Sequence, residues 1–577
     1  MKKKLLPALI VTGLIILVVI IMGITALINK YTPTKKTEDL KEYFNISSDD
    51  EVALIVNNEL SDYKAKIIDK KIYVDYKFVH DSLNSRFYWD ANENVLLYTT
   101  ASDIISAAAD SNSYSVTKQT NDFGYPIVKA TSDSALIALD YVKQYSNITF
   151  KSYDDPARIV ITSKWNEIDS ATVSKPTQVR VKGGIKSPIL KEVKKDDKIT
   201  ILDSGDKWDK VATEDGVIGY IKRKALSESK KTKLTNPDYE EETFTHIKKD
   251  KDICLAWNQV TSQSANSKVP QVISSTKGIN VMSPTWFYLN DNNGNLADIA
   301  SKDYVSYCHS QGIEVWGLFS NLENTDVDAA YVLTHTSTRT TLINQIMSAA
   351  FNYELDGVNI DFENITEAAY GDSYIEFIRE LSIKCHNNGI SLSVDVTVPA
   401  SFNKFFNRSD MAKFADYIVI MGYDEHYKGS DAGSVSSIPW VTEGVESTLK
   451  EVPADQIILG MPFYTRIWEL TPKEDDDAVT DTEDQSKYTV ASQVYSMDAA
   501  AAQLATNNAT AALDEKSGQN YAEWSASNKL YKVWLEDSTS LEKRLKLVDD
   551  NKLAGAAFWK LGFENSSVWD TVIKYLD

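Results

Sequence analysis

The chain has 577 residues, of which 43% are hydrophobic and 10% aromatic, and this predicts several globular domains rather than a disordered chain. Its formal net charge of −21 argues against nucleic acid as a partner, because a phosphate backbone is bound by basic surfaces. Cys254, Cys308 and Cys385 form no C-x-x-C pair, and an odd number gives no disulfide framework. They are predicted to be buried apolar residues.

The first predicted element is a membrane-spanning helix. Lysines at positions 2–4 precede an apolar run from Leu5 to Ile28, which is long enough to cross a hydrocarbon core of about 30 Å. This run exceeds the apolar part of a cleaved signal peptide, and no clear small-x-small site follows it. The lysines favour a cytoplasmic N-terminus. We therefore predict a signal anchor over residues 1–30 in the cell membrane, with the rest extracytoplasmic; a cleaved signal is the alternative.

A polar linker over residues 31–50 is predicted to precede a duplicated α+β module over residues 51–166. Two halves offset by 63 residues share a helix, a strand, a turn and a second strand. The aligned positions are Phe78, Phe87 and Val95–Tyr98 with Tyr141, Phe150 and Arg158–Ile161. This pattern resembles the small duplicated module at the N-terminus of copper amine oxidases. It implies no copper here, because His80 is the single histidine of the region.

Residues 177–227 change to short β-rich runs separated by glycine-containing turns. They resemble a bacterial SH3-like barrel, and the resemblance is carried by Val179–Val181, Pro188–Leu190, Trp208–Val211 and Gly219–Ile221. Such modules often bind peptidoglycan, so cell-wall binding and a purely structural spacer are both open readings. A charged linker is predicted over residues 228–245.

From residue 246 to 577, eight apolar strand-like runs alternate with helical ones. This pattern predicts a multidomain chain that ends in a (β/α)8 TIM barrel, with an α+β insertion over residues 466–552. The predicted strands are Ile253–Trp257, Gly278–Met282, Glu314–Phe319, Gly357–Phe362, Ser391–Val398, Tyr417–Met421, Ile457–Met461 and Gly555–Trp559. One amphipathic helix is predicted to begin at a capping box formed by Ser373 and Glu376 and to end near Gly389.

The fourth predicted strand carries the strongest chemical signal. Side chains alternate along a strand, so Val358, Ile360 and Phe362 are expected to face the helices. Asn359, Asp361 and Glu363 are then expected to face the barrel interior and its mouth. Carboxyl groups are costly there unless they are hydrogen-bonded or functional. Asp361 and Glu363 would lie about 6–7 Å apart, and their repulsion would keep one of them protonated, as a glycosidase acid requires.

The segment Asp356–Glu363 resembles the D-G-x-D-x-D-x-E signature of glycoside hydrolase family 18, the chitinase-like enzymes. Asn359 departs from that signature, where the family usually has Asp. Three other segments agree with the family: Ser283–Phe287, Met421–His426 and Gly555–Gly562. The combination looks most like the branch of bacterial cell-wall and spore-cortex N-acetylglucosaminidases.

The resemblance implies a retaining, substrate-assisted hydrolysis of N-acetylglucosamine-containing polysaccharide without metal or cofactor. Glu363 would be the proton donor, while Asp361 and Tyr423 would hold the 2-acetamido group. Supporting roles are expected for Asn359, Asp424 and Asp356, although Asp356 begins the strand far from the mouth and is expected to be structural. The predicted substrate-binding residues are Trp559, Trp286, Trp316, Met421, Tyr464 and Arg466.

Alternatives stay open on the sequence alone. A non-hydrolytic, lectin-like glycan receptor on the same barrel is one, and a surface adaptor that acts through its upstream modules is another. Within the enzyme class, the substrate could be peptidoglycan, chitin or a host glycan. The six histidines have no metal-ligand spacing, and the acidic run Glu474–Asp477 is predicted to be a solvated loop.

Overall fold

The computed structural model describes residues 5–363, 365, 368–473 and 484–576, so the acidic run 474–477 lies outside the described residues. Contacts divide the chain into two compact units. The first comprises Met1–Phe87, Ala107–Ser113 and Asp122–Glu241, and the second comprises Tyr88–Ser106, Tyr114–Asn121 and Glu242–Asp577. The residues predicted as one module, 51–166, are thus divided between the two units.

The first unit begins with the helix Leu5–Tyr31. Within the described residues it is the one helix that is long and apolar enough to cross a membrane. Its segment Leu9–Tyr31 has a mean hydropathy of 2.9 and none of it is buried. Length and composition are the basis of this assignment, and a signal sequence has the same properties.

Two seven-stranded sheets form the rest of the first unit. The first sheet consists of Thr149–Tyr153, Arg158–Thr162, Glu51–Val56, Glu59–Ile68, Lys71–Asp75, Ala135–Ala138 and Val128–Ala130, in spatial order, with helices Leu40–Tyr43, Tyr76–Ser82 and Leu139–Gln144. The second is antiparallel and consists of Ile189–Val193, Thr177–Arg180, Ile218–Lys222, Trp208–Thr213, Lys198–Asp203, Glu167–Thr172 and Lys230–Lys233. The sheet of the predicted SH3-like region 177–227 therefore also includes one strand that precedes the region in the chain, Glu167–Thr172, and one that follows it, Lys230–Lys233.

The second unit contains a closed barrel of eight parallel strands, which confirms the predicted TIM barrel. The strands are β1 (Ile253–Asn258), β2 (Val281–Leu289), β3 (Glu314–Ser320), β4 (Gly357–Asp361), β5 (Ser391–Thr397), β6 (Tyr417–Met421), β7 (Ile457–Pro462) and β8 (Gly555–Trp559). Closure is made by β1, which pairs with both β2 and β8. Seven strands match their predicted positions to within one residue at each end. The second begins three residues later than predicted and extends to Leu289, and it pairs there with the short strand Leu296–Asp298.

Helices surround the barrel. The longer ones are α1 (Lys302–Ser310), α2 (Thr336–Tyr353), α3 (Ala368–His386), α4 (Arg408–Phe414), α5 (Ile438–Thr448) and α6 (Ser538–Asn551). Short helices and 3₁₀ turns connect them at Gln263–Lys268, Val269–Val272, Ala329–Thr334, Ser401–Phe406, Ala454–Gln456, Ser566–Val568 and Trp569–Val572.

The alternation of side chains in the strands builds two separate cores. Val358 and Ile360 of β4, and Phe362 directly after it, pack with the helices in the outer core, as predicted. The inner core fills the barrel and includes Trp257, Trp316 and Tyr417, which come from three different strands. All three cysteines are buried and unpaired, which confirms the prediction that they are small apolar residues of the interior.

A five-stranded antiparallel sheet lies between β7 and β8 in the chain. Its strands, in spatial order, are Tyr488–Ser496, Tyr464–Pro472, Lys529–Leu535, Gln519–Ala526 and Ala512–Asp514, accompanied by the helix Met497–Thr506 and a 3₁₀ turn at Gln485–Lys487. The sheet begins at Tyr464, two residues before the predicted start of the insertion. Since β7 ends at Pro462, the insertion follows directly from the C-terminal end of a barrel strand.

A further five-stranded sheet runs over Phe87–Asp90, Val95–Thr99, Ile104–Ala108, Ser113–Val116 and Gln119–Asp122. Its segment Tyr88–Ser106 contacts α3: the Tyr88 hydroxyl and Ser373 Oγ lie 2.8 Å apart, and Thr99 Oγ1 donates to Glu376 at 2.9 Å. The predicted capping box at Ser373 and Glu376 is therefore wrong. The helix begins earlier, at Ala368, and both side chains serve the packing of the two elements instead.

Candidate active site

Asn359 is the centre of a hydrogen-bond network inside the barrel. Its Oδ1 accepts from Trp257 Nε1 and from Ser283 Oγ, both at 2.9 Å. Its Nδ2 donates to Ser393 Oγ at 3.1 Å and to Asp395 Oδ1 at 2.7 Å. Because the amide is fully buried and uses both its donor and acceptor sides, it ties β1, β2, β4 and β5 together beneath the mouth of the barrel.

Asp361 follows on the same face of β4, at the last position of the strand. Its Oδ1 is buried and has no hydrogen-bond partner among the described residues. Burial raises the pKa of Asp361 well above its usual range, and the charges of Asp395, Glu363 and Glu323 raise it further. The repulsion predicted between Asp361 and Glu363 is thus present, but burial is the larger cause.

Glu363 lies just beyond β4 and is half-buried. Burial raises the pKa of its carboxyl group, and the charges of Asp424 and Glu323 add to this effect. Its backbone N–H and carbonyl are both hydrogen-bonded to the side chain of Asn321, at 2.9 and 2.7 Å. A partly accessible carboxyl group with a raised pKa therefore lies just beyond the C-terminal end of β4.

Asp395 is a third carboxyl group of this site, and the sequence reasoning missed it. It lies on β5, is 2% exposed, and has a pKa raised well above its usual range by burial. The signal that could have found it is the alternation used for β4. Ser391, Ser393 and Asp395 are polar at every second position of β5 and point to the same interior.

Aromatic rings surround the carboxyl groups. Trp257 makes edge-on contacts with Trp559, at a centroid distance of 5.9 Å, and with Tyr423, at 6.4 Å. Tyr423 in turn contacts Tyr464 at 6.3 Å. Burial raises the pKa of Tyr423 well above its usual range, and the charges of Asp361 and Asp395 raise it further. The structure thus brings Tyr423, Trp559 and Tyr464 together; Trp257 was not predicted as a site residue.

The start of the insertion forms one side of the site. The Tyr464 hydroxyl donates to Asp424, and Arg466 lies 3.8 Å from the same carboxylate. Asp424 is exposed and has φ = 60°, in the left-handed region. Met421 ends β6 and is nearly buried, at 9% exposure. These four predicted residues therefore lie at or next to the C-terminal ends of β6 and β7.

Two predicted substrate-binding residues are corrected by the structure. Trp286 faces the helices, where its Nε1 donates to Asn266 at 2.8 Å, because β2 continues past this position and turns its side chain outward. Trp316 does face the interior, but it lies near the start of β3, stacked on Tyr417 below the site. Both are fully buried and line no groove.

Asp356 lies at the opposite end of β4 from the carboxyl groups of the site. Its Oδ2 accepts from the Val315 N–H and lies 2.8 Å from His309 Nε2. These contacts fix the start of β4 against β3, so the residue is structural, as the sequence reasoning expected.

Comparison with known families identifies the domain that carries this site. Residues 318–564, which include β4, the Tyr423 segment, the insertion and β8, match the family described as Glycosyl hydrolases family 18. The chain therefore carries a domain of this family, and it is a glycoside hydrolase.

Similar proteins match about half of the chain. The uncharacterized glycosylase YvbX of Bacillus subtilis (strain 168) is 24% identical over 301 residues, which are 49% of this chain and 81% of the relative. The cortical fragment-lytic enzyme of the same organism is 25% identical over 287 residues, which are 48% of this chain and 63% of the relative. The match thus spans somewhat less than two thirds of that second relative's length.

A solved structure has the same fold. The C-terminal domain of a chitinase candidate from Desulfitobacterium hafniense DCB-2 superposes with a TM-score of 0.50 at 19% identity, over 57% of this chain and 100% of that domain. At this identity the likeness supports the fold alone.

Proposed function

From the premise that this chain is a glycoside hydrolase with a family 18 domain, we propose that it cleaves β-1,4 bonds of N-acetylglucosamine-containing polysaccharide, with peptidoglycan as its substrate. The observation that carries the proposal is the pair of carboxyl groups at the end of β4. Glu363 is half-buried with a raised pKa, and Asp361 presents a buried oxygen without a protein partner. One can donate a proton, and the other can accept a hydrogen bond from a ligand.

The proposed reaction is substrate-assisted and retains the anomeric configuration. Glu363 transfers its proton to the glycosidic oxygen as the bond to the anomeric carbon breaks. The carbonyl oxygen of the 2-acetamido group of the same sugar attacks that carbon. Asp361 accepts the acetamido N–H and stabilises the positive charge that develops, while the Tyr423 hydroxyl donates to the acetamido oxygen.

Water completes the reaction. Glu363, now ionised, takes a proton from the incoming water, whose oxygen attacks the anomeric carbon and releases the acetamido oxygen. Trp559 is the proposed floor for the sugar ring, since it lies next to Trp257 at the end of β8. A sugar without an N-acetyl group has no internal nucleophile, so the mechanism itself selects N-acetylglucosamine.

Peptidoglycan is proposed over chitin because one relative is named for lysis of cortical fragments and because residues 177–227 resemble SH3-like modules, which often bind peptidoglycan. The test is mass spectrometry of the products after incubation with purified peptidoglycan and, separately, with chitin oligomers. We expect fragments with N-acetylglucosamine at the new reducing end from peptidoglycan. Release of fragments from chitin alone would identify chitin, and not peptidoglycan, as the substrate. Binding of both polymers without release of fragments would favour a lectin-like receptor.

The N-terminal helix is proposed as a membrane anchor that holds the enzyme on the outer side of the cell membrane. Its length and apolar composition support this assignment. We expect the full chain to remain in the membrane fraction after washing at high salt, and a chain without residues 1–31 to be released. Recovery of an N-terminally shortened native protein in the soluble fraction would indicate a cleaved signal instead.

A further inference from the structure

Asn321 contacts both backbone polar groups of Glu363. It follows directly after β3, and its carboxamide donates from Nδ2 to the Glu363 carbonyl at 2.7 Å. Its Oδ1 accepts from the Glu363 N–H at 2.9 Å. The last register pair between β3 and β4 is Ser320 with Asp361, so the regular pairing of the two strands has ended before Glu363 is reached.

A carboxamide carries a donor and an acceptor side by side, as a peptide group does. The side chain of Asn321 therefore continues the β3–β4 pairing by one step, at a position where the backbone of β3 no longer does so. Two hydrogen bonds to one residue restrict its backbone dihedrals and thereby the direction of its Cα–Cβ bond. A proton donor must be held within about 0.5 Å of its working position, so this restriction bears directly on turnover.

We propose that Asn321 is a positioning residue that aims the carboxyl group of Glu363 at the glycosidic oxygen. The proposal rests on the proposed role of Glu363 as the acid. Asn321 does not need to touch the substrate, because it acts through the backbone of its neighbour on the adjacent strand.

The test compares Asn321→Ala with Asn324→Ala. Asn324 is in the same loop, but its Nδ2 donates to the Asn290 carbonyl at 2.8 Å, away from Glu363. On a natural glycan we expect kcat to fall about 10- to 100-fold for Asn321→Ala and to stay near the parent value for the control. On an N-acetylglucosamine oligosaccharide with a nitrophenyl leaving group, which departs without protonation, the loss in the first-turnover rate of nitrophenol release should shrink to a few-fold, because this step precedes the one in which Glu363 acts as a base. KM should change little on either substrate.

An equal loss on both substrates would overturn the proposal, since it would mean that Asn321 supports more than proton donation. Equal activity of the two alanine variants on the natural glycan would overturn it too. Glu363→Gln, tested in the same assays, tells which proposal has failed. If Glu363→Gln is inactive, Glu363 is still the acid and only the role proposed for Asn321 is wrong. If Glu363→Gln keeps full activity, the proposed function itself is wrong.

Asn321→Asp gives an independent readout in an isosteric side chain. It keeps the acceptor for the Glu363 N–H, loses the donor, and adds a negative charge beside the acid. Because that charge raises the pKa of Glu363, the alkaline limb of the kcat profile should move to higher pH while kcat falls. An unchanged alkaline limb of the kcat profile would contradict the proposed proximity of residue 321 to the carboxyl group of Glu363.

Discussion

Glu363→Gln is expected to lower kcat on the natural glycan by about 10²–10⁴-fold, because glutamine fills the same space but has no proton to donate. The variant should fold normally, since the hydrogen bonds that hold this residue run through its backbone to Asn321. Affinity for the glycan should be retained. The measurement is reducing-sugar release over a range of substrate concentrations, together with binding to the insoluble polymer.

Glu323→Gln is the matched control for this variant. Glu323 is an exposed carboxylate whose charge raises the pKa of Glu363, so its removal should lower that pKa. Activity is lost as Glu363 loses its proton, and the alkaline limb of the kcat profile should therefore move to lower pH while kcat at acidic pH is kept. Full activity of Glu363→Gln would show that another group donates the proton.

The barrel was predictable because most of its strands are rich in apolar residues and alternate regularly with helices. The residues Asn359, Asp361 and Glu363 were predictable because carboxyl groups are rare in and next to an otherwise apolar barrel strand. Asp395 escaped because a single acidic residue after two serines gives a weaker signal than a recognisable motif. Asn321 could not be found at all, because its role depends on the register between β3 and β4.

Tryptophan positions illustrate a second limit. Trp286 and Trp316 were expected in the groove because they lie near predicted strand ends. The true end of β2 is at Leu289, so Trp286 lies within the strand on its outer face. Because the predicted strand ended too early, Trp286 was assigned to the mouth of the barrel instead of to the strand. The capping-box signal at Ser373 failed for a related reason, since a sheet distant in the sequence occupies the same polar groups.

A buried ion network joins two of the helices that surround the barrel. Arg379 of α3 bonds to Glu376 at 3.0 Å and also pairs with Asp410 of α4. All three side chains are almost fully buried. Burial alone would raise the pKa of Asp410, but the Arg379 guanidinium and Lys413 hold it below its usual range. Since Glu376 also accepts from Thr99, the network joins α3, α4 and the Tyr88–Ser106 segment.

Arg379→Met is therefore expected to destabilise the second unit by about 3–5 kcal/mol, because it leaves Glu376 buried without a cation and Asp410 with the exposed Lys413 alone. Lys413→Met is the control: this lysine pairs with the same Asp410 at 3.4 Å, but its side chain is 54% exposed, so its loss should cost no more than about 1 kcal/mol. Urea unfolding followed by tryptophan fluorescence measures both. Adding Glu376→Gln and Asp410→Asn to the Arg379 variant should recover much of the loss, because the cost arises from the unpaired charges. Similar unfolding midpoints for the two single variants would show that the buried carboxylates find compensation elsewhere, and that α3 depends on its apolar contacts instead.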